Sequence, residues 1–183
     1  MPTFGLDTIR AFANNASEMK KLAARDFEDL LQCSIPVFDG LLPDKIHDRK
    51  LMTLLYRTAE WHALAKLRMH TEDTLEYLQT ITEQLGKLMR EFRDISNSDF
   101  QTYETDREVQ ARYRRQQQAA GGSGSSQIQG RQPKSLNLFT YKWHALLDYV
   151  PSIRWVGSTD GISTQVVRFF VILSIYGIEI KTG

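Results

Sequence analysis

Cysteine is almost absent from this chain: Cys33 is the one copy in 183 residues. A single thiol excludes an internal disulfide framework and fits a reducing compartment, nucleus or cytosol. Cys33 follows an apolar helical stretch and precedes Ser34-Ile35-Pro36 with no activating motif, so a buried structural thiol is expected. Long hydrophobic runs are also missing. The longest, Val166 to Ile178, is shorter than the roughly 20 residues that cross a bilayer and is broken by Arg168, which argues against a membrane partner. The chain opens without a basic region followed by an apolar stretch, so secretion is not expected. A nucleotide loop is missing too, because Gly121-Gly122-Ser123-Gly124 has neither the lysine nor the strand-to-helix setting that such a site requires. Charge of one sign is not in excess, with 23 Lys and Arg against 22 Asp and Glu, so partners must be sought in local charge rather than in the total.

Apolar residues make up 42% of the chain and charged residues 25%, the balance of an ordinary globular domain. Residues 1–14 form an N-terminal segment. From Ser17, the positions Met19, Leu22, Ala23, Phe27, Leu30 and Leu31 recur at three- and four-residue steps and line one helical face. Asn15 and Glu18 resemble a capping box at its start, and the helix is expected to stop near Pro36, since Pro36, Gly40 and Pro43 punctuate the next stretch. A second helix is expected from Pro43 or Asp44 through Leu51, Leu54, Leu55, Thr58, His62, Ala65 and Met69. Thr71 then caps a third, whose stripe is Leu75, Leu78, Thr82, Leu85, Met89 and Phe92, packed antiparallel to the second.

These helices make a bundle core over residues 15–100. Residues 101–116 are basic and read as a loosely attached helix, and 117–134 as a flexible Gly/Ser linker. Residues 135–165 read as a C-terminal helical segment, with Leu138 to Val150 as one short helix that Pro151 ends or kinks. Trp143 or Tyr149 is expected to dock it on the bundle. Residues 166–183 are an apolar tail, β-branched enough to be a strand if anything. The fold class expected is mainly α: an antiparallel helical bundle with a flexible basic linker and a short C-terminal helical segment.

Candidate chemistry is sparse. His62 and His70 are eight residues apart with His47 upstream, which is not the three- or four-residue spacing of ligands on one helical face. His144 and Asp148 are four apart and would meet on one face, most simply as a local polar contact. Asp26 and Asp29 fall on the polar side of the first helix, where solvated charge is expected, and no spacing among Asp26, Glu28, Asp29, Asp99 and Asp160 identifies a two-metal pair. The charge pattern that stands out is Arg107, Arg112, Arg114 and Arg115, followed by Arg131 and Lys134, with Tyr113 among them. Such a tract can neutralise phosphates without reading sequence.

Three blocks carry a family resemblance. They are Ala23 to Pro43 (AARDFEDLLQCSIPVFDGLLP); Trp61 to Thr71 (WHALAKLRMHT), containing Trp61, His62, Lys66, Arg68 and His70; and Leu138 to Val150 (LFTYKWHALLDYV), containing Tyr141, His144, Asp148 and Tyr149 and continuing to Arg154 and Asp160. Over about residues 15 to 165 the chain resembles the C-terminal region of fungal proteins related to the Plavaka and KDZ groups of DNA transposons. The resemblance implies a parent with a ribonuclease-H-like fold, in which three acids hold two metals against a phosphodiester. Earlier acids of that parent would lie before Met1. Asp148 and Asp160 are the acids of the third block, and neither is expected to be catalytic. The pattern breaks at Val166, where a charged continuation gives way to Val167-Arg168-Phe169-Phe170-Val171-Ile172-Leu173. Valine codons begin with the bases of a splice donor, so translation into a retained intron would read this way.

The reading is of a truncated, non-catalytic, transposase-related chain with a helical interaction role and nonspecific nucleic-acid contact, nuclear or cytoplasmic. Its partners would be DNA, another copy, or the missing parts of a transposase. No catalytic residue, metal, cofactor or small-molecule substrate is expected. The alternative is an independent helical protein–protein interaction module, and an intact metal-dependent nuclease lacks an identifiable acidic set.

Overall fold

The computed structural model describes residues 24–99, 102–119 and 130–157. The expected capping box at Asn15 and Glu18, the start of the first helix, most of the linker, Asp160 and the apolar tail lie outside the described residues. What is described is mainly helical: α1 (Ala24–Phe38), α2 (Lys45–Ala65), α3 (Glu72–Asp99), β1 (Thr102–Tyr103), α4 (Asp106–Ala119), β2 (Pro133–Lys134), α5 (Tyr141–His144), a 3-10 turn (Ala145–Asp148) and α6 (Tyr149–Val156). No described helix is long and apolar enough to cross a membrane.

Each boundary has a local cause. α1 ends near Pro36 as expected, at Phe38, with Pro36 itself in the last turn. Proline forfeits only its own amide, and in a last turn the freed carbonyl, that of exposed Gln32, can be hydrated. The stop comes at Gly40, whose φ of 72° is the left-handed conformation that closes many helices. The Asp48 carboxylate then accepts from the Gly40 and Leu42 amides, both at 3.2 Å, and ties the loop to the start of α2. Pro43 lies ahead of α2 and not in its first turn; Asp44 is the cap, its Oδ1 accepting from the Ile46 amide at 2.6 Å and the His47 amide at 3.1 Å. At the other end α2 stops at Ala65, so Met69, expected on its apolar stripe, lies in the loop and is exposed. Thr71 caps α3 as expected. Its Oγ1 accepts from the Thr74 amide while the Thr71 amide donates to Thr74 Oγ1.

α2 and α3 pack antiparallel. Contacts that step toward the N-terminus of α2, from Trp61 to Lys50, step toward the C-terminus of α3, from Thr82 to Glu91. The stripe read on α3 is buried in full, at Leu75, Leu78, Thr82, Leu85, Met89 and Phe92. It meets Leu51, Leu54, Leu55 and Ala65 of α2 in one hydrophobic core. Trp61 lies at its centre with 0% exposure, and its indole N–H donates to Thr82 Oγ1 at 2.8 Å.

The C-terminal segment closes the core from one side. The single helix expected over Leu138 to Val150 is instead three short pieces, in which Thr140 precedes α5 and a 3-10 turn joins α5 to α6. Pro151 does not end the helix. It sits in the first turn of α6, where an amide has no partner within the helix in any case. Leu138, Trp143, Leu146, Val150 and Ile153 join the bundle core, and Tyr149 meets Trp61 edge-on, with ring centroids 4.9 Å apart and an interplanar angle of 68°. Both aromatics expected to dock this segment do so.

Thr82 thus holds the one hydrogen bond of a fully buried indole. Thr82→Val keeps the shape but leaves that N–H unpaired, and should cost about 1–3 kcal/mol. Urea unfolding would show it as a lower midpoint at unchanged slope.

Candidate functional site: a charge-latched basic helix

α4 contains no buried residue, so apolar burial cannot be what holds it in place. Fourteen residues are also marginal as an isolated helix. What fixes it is local charge. Thr105 caps it in a capping box: the Thr105 amide donates to Glu108 Oε2 at 2.9 Å, and the Glu108 amide donates weakly to Thr105 Oγ1 at 3.4 Å. Just before the cap, β1 pairs antiparallel with β2, Thr102 opposite Lys134 and Tyr103 opposite Pro133. The end of the expected linker is therefore not free coil: residues 133–134 are a strand, and the Glu104 amide extends the pairing by donating to the Gln132 carbonyl at 2.9 Å.

Three carboxylates from the five-residue segment 104–108 meet three of the six cations of the basic tract. Glu104 and Arg112 form the innermost pair. Arg112 Nε donates to Glu104 Oε1 at 3.1 Å and Nη2 to Oε2 at 2.8 Å, with side-chain exposures of 18% and 9%. Arg112 Nη2 also donates to the Gly130 carbonyl at 3.1 Å, and the Gln132 amide donates to Glu104 Oε2 at 3.2 Å. The guanidinium and the Gln132 amide hold the Glu104 carboxyl below its usual range despite partial desolvation. Outside this pair, Arg131 donates to Asp106 Oδ1 at 2.9 Å and Lys134 donates to Glu108 Oε1.

The remaining cations, Arg107, Arg114 and Arg115, are exposed. On a helix of 3.6 residues per turn Arg107 and Arg114, seven apart, share a face from which Arg112 is turned away, while Arg115, seven from Glu108, is exposed on the flank that carries Glu108. The six expected nucleic-acid contacts therefore divide: Arg112, Arg131 and Lys134 sit on internal carboxylates, and Arg107, Arg114 and Arg115 face solvent. Sequence reasoning missed Glu104, Asp106 and Glu108. The signal lay in their alternate spacing before the basic run and in the Thr105-x-x-Glu108 cap.

The residues of the resembling blocks serve elsewhere. Trp61 and Tyr149 are packing groups. Lys66 donates to Glu28 Oε1 at 2.8 Å, joining α2 to α1, and Arg154 donates to Glu72 Oε2 at 2.7 Å, joining α6 to α3. Arg68 is exposed in the loop after α2, and His70 Nδ1 lies 3.5 Å from Thr74 Oγ1 beside the α3 cap. Tyr141, His144 and Asp148 are exposed. The local contact expected between His144 and Asp148 is absent among the described interactions, because the 3-10 turn between them breaks the helical register that would align positions four apart. Asp29, expected on a solvated face, is buried at 2% exposure, so α1 is covered on more than its apolar side. Asp26 is half-buried. Cys33 is buried, which raises its thiol pKa by desolvation, with Asp29 adding to the rise. Among the described residues no group of three or more His, Cys, Asp or Glu could hold a metal ion.

His62 is a half-buried titratable group at the α1–α2 contact, with its Nε2 enclosed. Its Nε2 has no hydrogen-bond partner and lies 3.8 Å from Glu28 Oε1. Desolvation lowers its pKa, against the raising effect of Glu28 and with the lowering effect of Lys66. No protein family, curated protein or solved structure matches the chain.

Two pH effects follow. Glu104 and Glu108 both titrate below the ordinary glutamate value when folded. Their contribution is therefore present above that value and lost as pH falls through the folded one. In NMR spectra the Glu104 and Gln132 amides should hold their folded shifts at neutral pH and move to unfolded positions on acidification, and Arg112→Ala should release them already at pH 7. For His62 the folded pKa is also the lower one, so the unfolded chain binds the proton first and stability should fall as pH drops below about 6.5. His62→Gln should flatten the urea midpoint between pH 7 and 5.

Proposed function

We propose that the chain is a non-catalytic, transposase-related helical module that contacts nucleic acid without sequence preference through the exposed arginines of α4. One observation carries this reading: in a tract of six cations, internal carboxylates take three and leave Arg107, Arg114 and Arg115 on solvent-facing positions. A short helix presenting several arginines and no apolar face suits a phosphate backbone, which is recognised by charge rather than by base edges. The latch supports the reading further, since it fixes the helix before any ligand arrives and so reduces the ordering cost of binding. A nuclear or cytosolic site and a fungal transposon origin go with this proposal.

A second reading, a protein–protein interaction module, is favoured by the C-terminal segment. Phe139, Tyr141 and Trp155 are each more than 80% exposed there. Large exposed aromatics are typical of interaction surfaces.

Fluorescence anisotropy with a labelled mixed-sequence duplex tests the first reading. Three engaged cations predict a log–log salt slope of about −2.7, from about −0.9 per phosphate. The triple change Arg107→Ala, Arg114→Ala, Arg115→Ala should abolish binding at 0.15 M salt and leave helix content and the Gln132 amide shift as in the parent. Binding untouched by that triple change sinks the reading. Self-association that ignores salt and is lost on Trp155→Ser would favour the second.

A further inference from the structure

The three internal ion pairs differ in how well they are protected. Glu104–Arg112 is nearly enclosed and two-pronged. Asp106–Arg131 is open to solvent, with side-chain exposures of 83% and 44%, and Glu108–Lys134 is intermediate at 33% and 30%. Exposed pairs hold their partners weakly and exchange them with other ions. A carboxylate and a phosphate oxygen also make the same kind of charge-assisted bond to a guanidinium or an ammonium. Asp106 and Glu108 therefore occupy the positions on Arg131 and Lys134 that a phosphate would take. They do so beside the N-terminus of the helix that carries Arg107, Arg114 and Arg115.

Resting on the nucleic-acid reading above, we propose that Asp106 and Glu108 are built-in competitors for the phosphate backbone: they withhold Arg131 and Lys134 from the surface and so set its affinity low. The surface has two tiers, three arginines always presented and two cations held in reserve. The Glu104–Arg112 pair is the structural member. It keeps residues 130–134 against the start of α4 whichever anion the outer pairs hold, so freeing the reserve cations does not require the hairpin to open.

The competitors can be removed without removing the fold. Asp106→Asn with Glu108→Gln cancels both charges, and glutamine at position 108 can still complete the cap with Thr105. Neutralising Glu76 and Glu83 as Glu76→Gln, Glu83→Gln serves as a control. It changes net charge equally on the exposed side of α3 and frees no cation of the hairpin. With the same labelled duplex, raising salt from 50 to 200 mM should weaken the parent about 40-fold, for three phosphates, and the Asp106/Glu108 variant about 500-fold, for five. Asp106→Asn alone, which leaves Glu108 and its cap untouched, should fall between them. At 50 mM salt both variants should bind more tightly than the parent. The proposal is overturned if the double variant keeps the parent's salt dependence, or if the Glu76/Glu83 control steepens it as much. In either case the parent's own slope of about three phosphates would leave the nucleic-acid reading standing, whereas a parent that does not bind the duplex sinks both.

Discussion

The packing of Trp61 is the constraint on which the rest of the bundle depends. A fully enclosed indole must place a large apolar surface and one N–H at the same time, and here the two demands fall on different elements. Thr82 of α3 takes the N–H, Tyr149 of α6 takes a ring face or edge, and α2 supplies the residue itself. One side chain thereby sets the register of α2 against α3 and the seat of the C-terminal segment. Thr82 is suited to this because its hydroxyl donates to the Leu78 carbonyl at 2.7 Å while accepting from the indole, so neither polar group is left over.

The second half of the structure is held by a different kind of force. α4 itself buries no residue, and two-residue strands offer too little pairing to stand alone. Placing acids at positions 104, 106 and 108 opposite Arg112, Arg131 and Lys134 substitutes electrostatics for a core. Such an arrangement is sensitive to salt and acid in ways the bundle is not. It is also the arrangement in which a surface can present some cations and withhold others, since an ion pair can trade partners and a buried leucine cannot.

Periodicity was a good guide wherever one helical face is buried. The α3 stripe, the antiparallel pairing of α2 and α3, and the docking of Trp143 and Tyr149 were all legible, because a helix that buries one face must repeat apolar residues every three or four positions. Errors gathered at proline and at helix ends. Pro151 reads as a terminator, yet it sits in the first turn of α6, where the missing amide costs little. The 3-10 turn inside the C-terminal segment left no mark in residue spacing, and without it His144 and Asp148 looked aligned. At the basic tract the cations were legible as a list, but not their division, because Arg131 and Lys134 meet their partners more than twenty residues away in sequence.

By itself the sequence determined the fold class, the helices that build the core and the place where positive charge collects, since each of these depends on residue type and near-neighbour spacing. Tertiary structure decided which cations remain available, that Asp29 is buried, and that Trp61 rather than any of the histidines near it is the centre of the molecule. These are properties of distance in space between residues distant in the chain, and only closure of the chain creates them.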